Sequence, residues 1–176
     1  MAPDSAGDIE IVTARLRLRR ARMDDLPAIH AILSDGQAMR YWSTLPHTTL
    51  DQSRAWLADM VAASPTESDD FVIEHDGKVI GKAGCWHLPE IGFILHPNVW
   101  GLGLAREAVE AAISHIFAHH PIDAILADVD PRNAASLGLL GSLGFVETGR
   151  AARTIIVGDD WCDSIYLARS RVAPRC

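Results

Sequence analysis

The run Trp100-Gly101-Leu102-Gly103-Leu104-Ala105 is the part of the chain best suited to chemistry. It lies where an extended stretch, Ile91-Gly92-Phe93-Ile94-Leu95, gives way to the alanine-rich Arg106-Glu107-Ala108-Val109-Glu110-Ala111-Ala112. A loop of small residues at a helix start leaves backbone N–H groups unpaired and reachable, and the positive end of the helix dipole reinforces them. Such a mouth seats an anion such as a pyrophosphate, which points to a phosphate-bearing cofactor. The plainer alternative is that the glycines only turn a corner and water caps the helix.

Other glycine-rich phosphate loops fit poorly. A Walker loop requires G-x-x-x-x-G-K-[ST], and no such lysine follows. A Rossmann fingerprint would need a third glycine where Arg106 stands, on the first strand of a parallel sheet rather than in the second half of the chain. Further along, Asn133 follows Pro131 and is a natural helix N-cap, with Ser136 one turn on.

The elements that must position these residues read as follows. Arg15-Leu16-Arg17-Leu18-Arg19 alternates, predicting a strand with leucines inward and arginines outward. Asp24 is placed to cap a helix over 25–33, and a second helix is expected from about Leu50 to Val61, with Trp56, Leu57 and Met60 as its apolar side. Residues 64–70 read as a solvent loop. Asp76-Gly77 is a preferred type I′ corner joining strands over 71–75 and 79–84. Strand 90–95, helix 102–118, strand 124–129 and helix 133–143 follow, then a strand from Phe145 and a pair near 153–157 and 164–168. This order predicts a mixed α/β domain, antiparallel first, with a β-α-β crossover in its second half. The expected organisation is a disordered lead over 1–9, one domain over 10–172 and a tail over 173–176.

With 176 residues the chain suits a single domain with a proper core. No apolar run approaches the roughly 18–20 residues that cross a bilayer, and the first residues carry acids where a secretory signal would carry bases, so a cytoplasmic protein with no membrane partner is expected. Three cysteines, Cys85, Cys162 and Cys176, show no metal-type spacing, and no metal is expected. A net charge of −7 argues against nucleic acid and suits a cationic partner such as an amine.

Three segments then bear a family resemblance. Thr13-Ala14-Arg15-Leu16-Arg17-Leu18-Arg19 resembles an opening T-x-R-L-x-L-R strand. Ile91-Gly92-Phe93 with Trp100-Gly101-Leu102-Gly103-Leu104-Ala105-Arg106-Glu107-Ala108 resembles I-G-Y…W-G-x-G-Y-A-x-E-A. Asn133-Ala134-Ala135-Ser136 with Leu143-Gly144-Phe145 resembles N-x-x-S…L-G-F. In this order they are similar to the GCN5-related N-acetyltransferase (GNAT) superfamily, in the branch that acetylates ribosomal-protein N-termini and assorted small amines.

The resemblance implies a GNAT fold, α/β (α+β), with a mostly antiparallel sheet and a β-α-β acetyl-CoA-binding core. It implies transfer of an acetyl group from acetyl-CoA to a primary amine by direct attack in a ternary complex. The alternative is a non-catalytic acyl-CoA-binding or scaffold domain. Backbone groups of Phe93, Ile94 and Leu95 would pair with the pantetheine arm. The loop Trp100, Gly101, Leu102, Gly103, Leu104 and Ala105 would hold the pyrophosphate, and Asn133 and Ser136 would contribute to cofactor binding. Many family members carry a tyrosine acid in the later helix; here that place is Leu140, and the family's serine variant points to Ser136 instead. A Lys-type amine has a pKa of about 10.4 and an α-amine about 7.7–8, so a base is needed at neutral pH. Glu90, at the start of the strand entering the cofactor split, is the candidate carboxylate, acting through water. Tyr41, Trp42 and His47 would wall the acceptor side. Dimers are frequent in that branch.

Overall fold

Residues 9–171 are described by a computed structural model; the expected lead over 1–9, save its last residue, and the tail over 173–176 lie outside them. Ile9, expected in the lead, instead packs against the core. The elements run β1 (Glu10–Val12), β2 (Arg17–Arg19), a short 3-10 turn at Met23–Asp25, α1 (Leu26–Leu33), α2 (Leu50–Ala62), β3 (Asp69–His75), β4 (Lys78–His87) and β5 (Glu90–Leu95). After a 3-10 turn at Pro97–Val99 come α3 (Leu104–His119), β6 (Ala124–Val129), α4 (Ala134–Ser142), β7 (Val146–Val157) and β8 (Asp160–Ser170).

One sheet of eight strands holds them, in the order β1-β2-β3-β4-β5-β6-β8-β7. Among the described residues only β5 and β6 pair in parallel. That pair needs a crossover, and α3 supplies it. The expected mixed, mostly antiparallel α/β architecture is what the chain adopts.

Helix α3 buries Leu104, Ala108, Val109, Ala112, Ile113 and Ile116 against one face of the sheet, a stripe at helical spacing. Phe71 and Ile73 of β3 meet it there. Val72 and Ile94 point to the opposite face, where Ile29, Ile32 and Leu33 of α1 and Leu57 of α2 cover them. Each fully buried Leu or Ile stabilises the fold by about 2–3 kcal/mol. This alternation decides which side chains of β3, β4 and β5 share a face with the α1–α2 layer.

Three local expectations need correction. Asp25, not Asp24, organises the entry to α1: its carboxylate accepts the Arg22 N–H at 2.8 Å. The same carboxylate takes two hydrogen bonds from Arg19, at 2.9 and 2.8 Å. Arg19 is therefore buried, not outward, because the 3-10 turn covers it and Glu74 completes its pairing. Residues 68–70 are not solvent loop: Ser68, Asp69 and Asp70 are buried, and the two acids open β3. Their charges are met inside. Asp69 engages Arg20 and His120, at 2.5 and 2.8 Å, and Asp70 engages Lys82 at 2.7 Å.

Candidate active site

The site is built around the place where β5 and β6 part. Their ladder is a single parallel pair, Glu90 opposite Leu126, with Leu126 N–H donating to Pro89 O at 2.9 Å. Beyond it, the edge of Ile91–Leu95 that faces away from β4 has no strand beside it among the described residues. Backbone N–H and C=O groups on an open edge are ready to pair with an extended partner. Trp100 closes the far end of that edge: its indole Nε1–H donates to Leu95 O at 2.9 Å.

The glycine loop follows. Gly101 and Gly103 both sit at φ +75°, a left-handed conformation that L side chains rarely adopt. Gly103 is the N-cap of α3, and among the described residues no side-chain cap meets the first amides of that helix. Nothing lies within 4 Å of a Cβ placed on Gly101. Leu102 is exposed, and its carbonyl accepts from Arg15 at 2.8 Å. The other guanidinium nitrogen of Arg15 stands 3.5 Å from a Cβ placed on Gly103. A cation thus lies beside the mouth of the helix, a feature that alternation in the sequence marked only as an outward arginine. Its signal was the T-x-R-L spacing.

Two cavities meet here. The first, about 470 Å³, is lined by Phe93, Ile94, Leu95, Trp100, Gly101, Gly103, Leu104 and Ala105, with Arg106, Asn133 and Ser136 on its far side. Asn133 caps α4, its side chain accepting the Ser136 N–H at 3.2 Å. The second cavity, about 600 Å³, opens over Glu90, Ile91 and Gly92, the earlier half of the same strand. Arg40, Tyr41 and Trp42 border both. A strand passing from one cavity into the other can hold two reactants end to end.

Aromatic and acidic groups dominate the second cavity. Trp56 and Trp86 line it with Trp42, as do Asp59, Asp70, Asp128, Asp130 and Asp163. Arg132 hydrogen-bonds Asp130 and holds its carboxyl below the usual carboxylate range, against the opposing effect of burial. Tyr41 lies between the guanidiniums of Arg40 and Arg132, 5.2 and 5.8 Å from its ring centre, and Trp42 faces the Lys82 ammonium at 5.7 Å. Burial pushes the Asp70 carboxyl up, and the Lys82 ammonium pulls it back.

The sequence-derived candidates are thus divided between two rooms and one wall. Phe93 to Leu95, Asn133, Ser136 and the glycine loop apart from Leu102, whose side chain is exposed, share the first cavity, and Glu90 lies in the second. Tyr41 and Trp42 stand between them. His47 lines neither: its Nδ1 is 2.8 Å from Ser53 Oγ, which also lies 2.8 Å from His30 Nδ1. That ring ties the loop to α2. Leu140 is buried in the core, so it presents packing surface and no hydroxyl. The sequence marked Arg15 only through the T-x-R-L spacing and gave no sign of Trp86; the pair Asp70 and Lys82 escaped because charges inside a strand do not advertise themselves by pattern.

An open strand edge thus lies beside an uncapped, glycine-lined helix mouth, next to a second chamber on the same strand. Residues 15–146 match the family profile described as the acetyltransferase (GNAT) domain, and the chain belongs to that family. It is 30% identical to the uncharacterized N-acetyltransferase p20 of Bacillus licheniformis over 148 residues, 79% of this chain and 83% of the relative. It is 32% identical over 104 residues to the [ribosomal protein uS5]-alanine N-acetyltransferase of Escherichia coli (strain K12), 59% of this chain and 53% of that one. Among solved structures, the spermidine N-acetyltransferase of Vibrio cholerae in complex with CoA and spermine aligns with a TM-score of 0.76 at 22% identity, covering 90% of this chain and 96% of that one. The protein is an acetyltransferase, and acetyltransferases of this family use acetyl-CoA.

Proposed function

We propose that the protein acetylates a primary amine, either a protein N-terminus or a small molecule, by direct attack with both reactants bound. The observation that carries this reading is the continuity of β5: Phe93–Leu95 line one cavity and Glu90–Gly92 line the other.

The residues present suit acetyl-CoA. The amides of Leu104 and Ala105 open α3 without a side-chain cap, and Arg15 and Arg106 add positive charge for a diphosphate. The free edge of Phe93–Leu95 offers backbone pairing to an extended amide-bearing arm. When bound, the coenzyme supplies an acetyl group activated as a thioester.

Glu90 is the base in this reading. The acceptor nitrogen takes the acetyl group as the C–S bond breaks, and the proton that leaves the nitrogen passes through water to Glu90. Ser136 lines the coenzyme cavity and is the hydroxyl offered to the departing sulfur. No acetyl-cysteine step is needed: burial pushes the Cys85 thiol up to about 12, where it is no nucleophile.

Thiol release from acetyl-CoA, measured with a panel of amines and N-terminal peptides, tests the proposal. Glu90→Gln should lower kcat by about 10²–10³-fold with little change in the KM for acetyl-CoA. Ser136→Ala should have a smaller effect. If acetyl-CoA binds and every amine fails, the protein is a coenzyme-binding scaffold instead.

A further inference from the structure

The floor of the second cavity contains a group that the reaction as described leaves unused. Asp70 and Lys82 form an ion pair at 2.7 Å, with side chains only 5% and 2% exposed, on the sheet face covered by α1 and α2. Lys82 occupies one carboxylate oxygen, Oδ2. The other, Oδ1, is buried without a hydrogen-bond partner among the described residues, and Asp70 lines the cavity. A buried carboxylate oxygen left unpaired is costly, and sites that accept a ligand's N–H are where such atoms are kept.

The sheet register places Asp70 in a row with two glycines. Asp70 pairs with Gly84, and Gly84 pairs with Gly92, so the three form one row across β3, β4 and β5. Gly84 has no room for a side chain: a Cβ there would collide with the β3 backbone at Asp69 O and Asp70 Cα and stand 3.0 Å from Asp70 Oδ1. A Cβ on Gly92 would stand in the cavity, 3.7 Å from both Lys82 Nζ and Trp86. Gly92 thus puts no side chain of its own into the cavity beside Lys82 Nζ and Trp86, and β5 continues from it as Phe93–Leu95 into the coenzyme cavity.

We propose that Asp70 Oδ1 receives an N–H of the acceptor amine and fixes its nitrogen over Gly92. This rests on the amine-acceptor reading above and adds a residue that binds the acceptor directly. Lys82 is a donor only and holds the carboxylate's other oxygen, so the pair as a whole is neutral. A second ammonium in the same buried place would be desolvated and repelled by Lys82, whereas a neutral amine gains a hydrogen bond without that cost. The pocket thus selects the protonation state whose lone pair is nucleophilic. Glu90, also on β5, remains free to take the proton released on acetylation.

The test is amine binding to the full-length protein saturated with coenzyme A, followed by the fluorescence of the tryptophans lining the cavity. The probes are spermidine, butylamine and a short peptide with an N-terminal alanine. In Asp70→Asn the amide turns its oxygen to Lys82 and its NH₂ into the cavity, so donor meets donor. The tightest-binding amine should lose about tenfold to a hundredfold in affinity, with coenzyme A affinity unchanged. Gly92→Ala, whose added methyl meets only ordinary contacts, should weaken the same amine at least about tenfold by occupying its place. Wild-type amine affinity in Asp70→Asn overturns the proposal. Should Asp70→Asn fail to fold and lose coenzyme A, unchanged amine affinity in Gly92→Ala overturns it. If the wild type binds coenzyme A and none of the three amines, the amine-acceptor reading fails and takes this proposal with it.

Discussion

Arg15 Nε lies 2.7 Å from Glu107 Oε2, joining the segment ahead of β2 to the first turn of α3. Two more donors converge on the other oxygen of the same carboxylate, Thr13 Oγ1 at 2.6 Å and the Arg15 amide at 2.9 Å. Arg15 spends its remaining reach on Leu102 O, inside the glycine loop. A single acid in α3 therefore sets where an N-terminal arginine stands relative to the helix mouth. The T-x-R-L and A-x-E-A motifs, 92 residues apart, meet at this point.

Glu107→Ala should consequently weaken acetyl-CoA binding several-fold, although Glu107 itself is not among the residues lining the coenzyme cavity. Stability should fall by about 1–2 kcal/mol, since three donors lose their acceptor in a partly exposed place. Calorimetric titration and thermal unfolding check the two effects separately. A change in stability with no change in coenzyme affinity would make the pair a mere fastening.

His47 should act on stability rather than on the acceptor. Burial, assisted by the neighbouring His30, holds its pKa below the usual 6.5. A histidine kept neutral in the fold contributes stability that is complete above the unfolded value and is lost as pH falls from 6.5 toward the lower folded value. His47→Gln should therefore cost about 1 kcal/mol at pH 8 and less at pH 5.5, with the KM for amine unchanged at pH 8. Thermal unfolding at the two pH values, beside steady-state kinetics, decides it; a raised amine KM would return His47 to the acceptor wall.

Cys85 should resist alkylation. Its thiol is fully buried and pushed up to about 12, leaving only about one part in ten thousand as thiolate at pH 8. Peptide mapping after iodoacetamide treatment of the native protein should find Cys85 unmodified and the half-exposed Cys162 labelled; after denaturation both should react. Rapid native labelling of Cys85 would reopen a covalent route.

Much of the frame was legible because it rests on local rules. Asp76 and Gly77 adopt φ +50° and +73°, as a type I′ corner between two hydrophobic runs demands. The stripe of α3 reads directly from its spacing. What escaped depends on distant neighbours. β1 is three residues long and exists because Arg17–Arg19 lies beside it. β7 read as separate pieces because its ladder slips between Ala151 and Ile155, where Arg153 turns to φ +55°. Asp69 and Asp70 looked like solvent loop, since nothing local says that Arg20, His120 and Lys82 will arrive to neutralise them. The glycine loop could be read as a motif, whereas the second cavity is assembled from the loop around Tyr41, α2, β3, β4, β5, β6, β7 and β8 and has no motif of its own.

Acetyl transfer as proposed requires the helix mouth at Gly103 to grip the diphosphate of acetyl-CoA, and isothermal titration of the coenzyme tests that most directly. Wild-type protein should bind it, and Gly103→Val should bind it at least about tenfold more weakly. A branched side chain there is forced into a left-handed backbone costing about 1–2 kcal/mol and stands where the phosphate would approach. Equal affinity in the two proteins, or no affinity in either, would contradict it.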